Sequence, residues 1–281
     1  PSIGFFLIIA HGIRRLYESG TFKTLAIAIL ACLVIFYGVL TMKQNYYWSD
    51  PIPFYERILK YEESARVSSN LGILYYETGK RMEAIALFKK ATELDSEYVE
   101  AWNNLGKAYN NLGDKEKAVE YYKKAIALNP NYAKAIYNLG VVYISLGKKE
   151  EALAQFKRAI ELFPHYAEAY YNAGNMAVEL GKVDEAIVYL KKAVEANPEH
   201  AWAYCNLGTV YTNLGKYQEA LGMYQKAIAA DPRFAVAYHN MAATYLYMNE
   251  FDRAQENYDK AMSLGYNMPT QLGEVLKARK K

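Results

Sequence analysis

NYAKAIYNLGVVYISLGKKEEALAQFKRAIELFP, residues 131 to 164, nearly restates the stretch that begins 34 residues before it. Glycines preceded by or near apolar residues stand at Gly72, Gly106, Gly140, Gly174 and Gly208, with Ala242 in the sixth place. The same interval carries Ala84, Ala118, Ala152, Ala186, Ala220 and Ala254, then Ala91, Ala125, Ala159, Ala193, Ala227 and Ala261. A bulky side chain returns at Phe88, Tyr122, Phe156, Leu190, Tyr224 and Tyr258, and Pro130, Pro164, Pro198 and Pro232 close units. Six units follow: 65–98, 99–132, 133–166, 167–200, 201–234 and 235–268.

Helix packing explains the interval. Ala135, Ile136, Leu139, Val142, Tyr143 and Leu146 recur at helical spacing and form one apolar stripe. Gly147-Lys148 ends that helix, and a second helix is expected from about residue 149 to 162. Small residues at Gly140, Ala152 and Ala159 permit close approach, while Tyr and Phe fill the remaining space. One pair cannot cover its own apolar face, so successive pairs must stack. The pattern resembles the tetratricopeptide repeat. It implies an all-α fold, a right-handed α-solenoid, and the apolar run ahead of it reads as a transmembrane helix.

The ends depart from the repeat. DPIPFYERILKYEESA, residues 50–65, reads as a lone capping helix within a juxtamembrane segment spanning 43–64. Residues 269–281 read as a C-terminal capping helix with Leu272, Val275 and Leu276 on one face.

Residues 24–42 hold no charge and lie between Lys23 and Lys43. At ~1.5 Å per residue this run reaches about 28 Å, close to a bilayer's hydrocarbon core. Its many Leu, Ile, Val and Phe residues each favour insertion by roughly 0.3–0.6 kcal/mol. Tyr46, Tyr47 and Trp48 follow as an interfacial anchor. Residues 1–10 read as the end of an upstream membrane span, and an initial Pro suggests a piece of a longer protein. Residues 11–23, with Arg14, Arg15 and Lys23, read as a cytoplasmic loop, which puts the repeats on the extracytoplasmic side, periplasm or ER lumen.

PSIGFFLIIAHG, the basic loop, one span and then NYYWSDPIPFYERILKY resemble the junction of transmembrane and tetratricopeptide-repeat proteins, the TMTC type. That resemblance implies a membrane glycosyltransferase that uses a lipid-linked sugar, with O-mannosylation of proteins as the associated chemistry. Its acidic catalytic residues belong upstream of Pro1, so none is carried onto this chain.

The residues themselves offer no catalysis. His11, His165, His200 and His239 have no metal-ligand spacing, and His165 and His200 are expected in solvated turns. There is no phosphate loop, nucleophile elbow or paired-carboxylate motif, so no cofactor and no metal are expected. A net charge of +3 with no basic stripe argues against nucleic acid. Two cysteines, Cys32 and Cys205, are too few and too far apart in sequence for a disulfide framework.

One constellation goes beyond packing. Asn70, Asn104, Asn138, Asn172, Asn206 and Asn240 hold the same place in all six units, on the first helix. Asn is a poor helix former, yet its amide matches both groups of a peptide backbone. Helical spacing adds Lys107, Tyr137, Tyr171 and Trp202, together with Glu100, Asn103, Lys134, Asn175, Thr209 and His239. The series resembles the asparagine ladder of O-linked N-acetylglucosamine transferases. Ser69, Ile73 and Asn138 do not supply the Lys and Arg of a chaperone-tail clamp. The expected partners are protein or peptide segments, recruited to a membrane glycosyltransferase. The alternative is a non-enzymatic scaffold for an envelope complex.

Overall fold

The computed structural model describes residues 10–15, 17–18, 20, 23–266 and 271–279, and every regular element among them is helical. Two compact units divide the chain at residue 96. The first contains α1 (Lys23–Ser49), α2 (Pro51–Tyr61), α3 (Ala65–Glu77) and α4 (Arg81–Leu94). The second contains α5 (Val99–Leu112), α6 (Lys115–Leu128), α7 (Ala133–Ser145), α8 (Lys149–Leu162), α9 (Ala167–Glu179) and α10 (Val183–Ala196). It continues through α11 (Ala201–Asn213), α12 (Tyr217–Ala230), α13 (Ala235–Tyr247), α14 (Phe251–Ser263) and α15 (Gln271–Arg279).

In the first unit, α1 is longer than the uncharged run: it continues through Lys43 to Ser49 without a break. Leu30, Val34, Ile35, Phe36 and Met42 are each more than half exposed, so this helix buries its apolar side chains against almost nothing. Residues 11–15 are helical where a loop was expected, and the Arg14 guanidinium meets Glu18 one turn later at 2.8 Å. The apolar run at 1–9, and the side chains of the expected anchor Tyr46, Tyr47 and Trp48, lie outside the described residues. So do residues 267–270 and 280–281. Asp50 caps α2 by accepting from the Ile52 N–H at 3.0 Å, with Pro51 preset for the first turn.

In the second unit each first helix pairs with its second helix, and each second helix packs on the next first helix. First helices of successive repeats also touch one another, as α5 with α7, α9 with α11 and α11 with α13. The first helices therefore form the inner row of this stack.

The packing is set by very small contacts. Ala118, Ala125, Ala152, Ala159, Ala186 and Ala193 are wholly buried. A Cβ added at Gly140 would lie 2.7 Å from the Phe156 ring, and one at Gly106 would lie 2.7 Å from Tyr122. Glycine stands there because a ring sixteen residues later lies against its backbone. The turn between helices is left-handed at Gly147, with φ of 71°, and Asn249 takes the same conformation in the sixth repeat at 57°.

The C-terminal cap differs from expectation in one respect. Leu272 and Leu276 are buried, but Val275 is exposed. Gly273 completes the inward face instead, against the Tyr258 phenol, because only a residue lacking Cβ leaves space for that ring.

Candidate functional site

The asparagines are half-buried in every repeat, and in the second unit they form a staircase. From Asn138 onward each amide nitrogen reaches 35 residues back, one place before the preceding repeat's asparagine. Asn138 donates to Asn103 Oδ1 at 3.1 Å, and Asn172 donates to the Tyr137 hydroxyl at 3.0 Å. Asn206 donates to the Tyr171 hydroxyl at 3.4 Å and to Asn175 Oδ1 at 2.8 Å. Asn240 donates to Cys205 Sγ at 3.4 Å and Thr209 Oγ1 at 3.3 Å. The donor half of the ladder thus ties repeat to repeat.

The acceptor half is different. The Oδ1 atoms of Asn138, Asn172 and Asn206 receive no hydrogen bond among the described residues, and none is a buried unsatisfied atom. Asn172 and Asn206 line an open trough of about 540 Å³ with Tyr171, Asn175, Thr209 and Asn213. Asn138 lies outside its lining.

Tyr137 and Tyr171, expected as free concave anchors, are half-buried and hold the next repeat's amide. The Tyr137 ring lies tilted against Tyr166 at 4.8 Å and against Phe156 at 5.6 Å. Burial, with the Glu168 charge adding, raises its phenol above the ordinary range, so it stays a neutral hydroxyl. Trp202 remains 50% exposed, edge-on to Phe234 at 4.7 Å, and offers an aromatic surface to solvent. Lys107 is exposed on α5, where Asn104 is half-buried; Asn70 holds the equivalent place on α3 of the first unit. The trough does not gather all ten expected residues; it joins Tyr171, Asn172 and Asn206.

His200 is not a solvated turn residue. Its Nδ1 accepts from the Ala203 N–H at 3.3 Å at the start of α11, and its ring lies 4.7 Å from Tyr171. Asn213 was missed; it lies seven residues after Asn206, on the same helix face, and that spacing was its signal.

Profiles of the Tetratricopeptide repeat match residues 99–132, 133–166, 165–233 and 223–256, and one for the TPR repeat matches 72–113. These are tetratricopeptide repeats. The crystal structure of YrrB, described as a TPR protein with an unusual peptide-binding site, is 29% identical. It covers 69% of this chain and 98% of YrrB with a TM-score of 0.59. The crystal structure of MamA is 29% identical over 62% of this chain and 97% of its own, with a TM-score of 0.55. Pseudomonas aeruginosa pilF, at 19% identity, 76% and 97% coverage and a TM-score of 0.66, shares the fold. No curated protein matches this chain. The tetratricopeptide repeats make the chain a protein-interaction scaffold.

Proposed function

We propose that the repeats hold an extended peptide segment in the trough between α9 and α11, and that α1 anchors them in a membrane. The observation that carries the peptide reading is the divided role of Asn172 and Asn206. Asn172 is tied to the preceding repeat by one N–H bond and Asn206 by two, whereas neither oxygen accepts a bond among the described residues and both side chains line an open trough. Such oxygens suit backbone N–H groups, which every peptide carries, and leave side-chain choice to the surrounding surface. YrrB, similar over most of its length, has a peptide-binding site, and that likeness supports the reading.

Anchoring is supported by α1, whose stretch from Lys23 to Met42 is long and apolar enough to cross a bilayer. The basic side chains at Arg14, Arg15 and Lys23 favour a cytoplasmic start and an extracytoplasmic array. The resemblance of the N-terminal stretch to the TMTC junction gives the anchored array a task. It presents protein acceptors to a membrane glycosyltransferase, raising their local concentration without chemistry of its own.

The test replaces Asn172 and Asn206 with Ala in the intact membrane protein. Enrichment from a random-sequence peptide library and sugar transfer to protein acceptors are both measured. Loss of both is expected, with membrane insertion intact. Unchanged enrichment contradicts peptide holding. Lost enrichment with unchanged transfer contradicts recruitment to the transferase and favours the non-enzymatic envelope scaffold.

A further inference from the structure

The third repeat breaks three regularities, and the first and third of them meet in one pocket. The residue ending its second helix is Phe163, where the neighbouring repeats carry Asn129, Asn197 and Asp231. Those three side chains close the turn by accepting an N–H two residues on, at 3.0, 3.1 and 2.9 Å. Phe163 cannot, and its ring is 61% exposed. Second, neighbouring repeats lay a lysine over an aromatic ring of the first helix. Lys124 lies 4.9 Å from Trp102, Lys192 lies 5.6 Å from Tyr170, and Lys226 lies 5.9 Å from Tyr204. The third repeat has Ile136 and Arg158 at those places, and Arg158 donates instead to the Pro130 carbonyl of the preceding turn.

Third, the charge at the helix start is reversed. Lys134 stands where the adjoining repeats carry Glu100 and Glu168, and His165 stands where the next repeat carries Glu199. Between the two turns lies a largely apolar pocket of about 450 Å³, lined by Phe163, Tyr132, Tyr166, Ala133, Lys134 and His165 among others. Its volume lies within the range of small-ligand sites. Lys134 makes no ion pair among the described residues and is the charged side chain in that lining. Glu100 and Glu168 act on Tyr132 and Tyr166 from neighbouring repeats, and neither lines the pocket.

We infer that this joint is a specificity pocket for a bulky apolar side chain, aromatic above all, followed or preceded by an aspartate or glutamate of the partner segment. The apolar walls take the ring and Lys134 meets the carboxylate. The pocket sits at the start of α7, whereas the trough reaches the end of α9 and α11 at Glu179 and Asn213. A first helix of thirteen residues is about 20 Å long, which an extended peptide covers in about six residues. The inference rests on the peptide-holding reading: one segment is gripped by its backbone in the trough and read by one side chain at the pocket.

The test uses the full chain in lipid nanodiscs and three capped dipeptides: acetyl-Asp-Phe-methylamide, acetyl-Lys-Phe-methylamide and acetyl-Asp-Ala-methylamide. Saturation-transfer NMR measures their binding to the parent protein and to Phe163→Asn, which installs the neighbouring repeats' own residue and so keeps the fold. Asp-Phe is expected to bind saturably and more tightly than the other two. Burying a Phe ring is worth ~1.5–3 kcal/mol, so Phe163→Asn should weaken it by about tenfold or more. Lys134→Glu should invert the order of Asp-Phe and Lys-Phe. Equal binding of Asp-Phe and Lys-Phe to the parent overturns the inference, as does equal binding to parent and Phe163→Asn. Asn172→Ala with Asn206→Ala should leave dipeptide binding unchanged while abolishing enrichment of longer peptides. If longer peptides still need those asparagines but Phe163→Asn has no effect, the pocket falls and the trough stands. If the dipeptide binds as expected and the asparagines are without effect, the trough falls.

Discussion

Gly208 and Ala242 stand at the same place in successive repeats and meet opposite surroundings. A Cβ at Gly208 would lie 2.6 Å from the Tyr224 ring, which is wholly buried across that backbone. Ala242 carries its Cβ at full burial, and its counterpart ring, Tyr258, is half-buried with its phenol end against Gly273 of the capping helix. The requirement for glycine belongs to the pair and not to the place. Where the phenol end finds another glycine to meet, the first place accommodates alanine.

The largest break in that comparison comes from widening a buried joint between helices. Ala159→Leu, at a wholly buried site, should cost toward the upper end of ~1–3 kcal/mol in thermal melts of the detergent-solubilised chain. Gly208→Ala should also destabilise, by ~1 kcal/mol or more, because the clash with Tyr224 exceeds the gain in helix propensity. Ala242→Gly, the reverse exchange, should destabilise too, by ~0.5–1 kcal/mol, since it only loosens the backbone. Opposite signs for these two would show that the ring positions are not what separates the repeats.

Acid sharpens the contrast at the sixth repeat. The His239 ring stacks on Tyr266 at 4.3 Å, and its Nε2 is buried without a partner. Burial lowers its pKa from 6.5, partly opposed by Asn240, and burial lowers that of His200 as well. A histidine whose folded pKa is depressed contributes stability that is complete above pH 6.5 and is lost as pH falls through the folded value. Melting temperature should therefore fall below pH 6.5, and His239→Gln should flatten that fall. An unchanged slope in the variant removes His239 as the cause.

The smallest effect is chemical. Burial pushes the Cys205 thiol up to about 12, although Asn240 opposes it. Thiol reagents at pH 8 should leave Cys205 untouched until the repeats unfold, and rapid labelling in the native state would contradict its place in the staircase.

The helix pairs and the inward alanines were legible because each rests on a spacing that recurs six times. The asparagine series was legible for the same reason, but the bonds that tie it to the preceding repeat were not. Periodicity shows that Asn138 and Asn172 share a helix face, yet not that their N–H groups point back to Asn103 and Tyr137. Val275 misled because helical spacing on a short helix leaves neighbouring faces nearly equivalent, and Gly273 could enter the core only because Tyr258 points there. Phe163 was missed. Its signal was an exception to a series, visible only once Asn129, Asn197 and Asp231 are aligned with it.

The central claim is that one amide does two things, joining repeats through its N–H and offering its oxygen to a peptide. Tyr137→Phe and Asn172→Ala each remove the same 3.0 Å bond, so measuring both separates the two halves. Each variant should lose stability of about 1 kcal/mol. Peptide-library enrichment should survive in Tyr137→Phe, which keeps the oxygen, and be lost in Asn172→Ala. Equal enrichment in the two variants would contradict the account and leave the asparagines as ties between repeats alone.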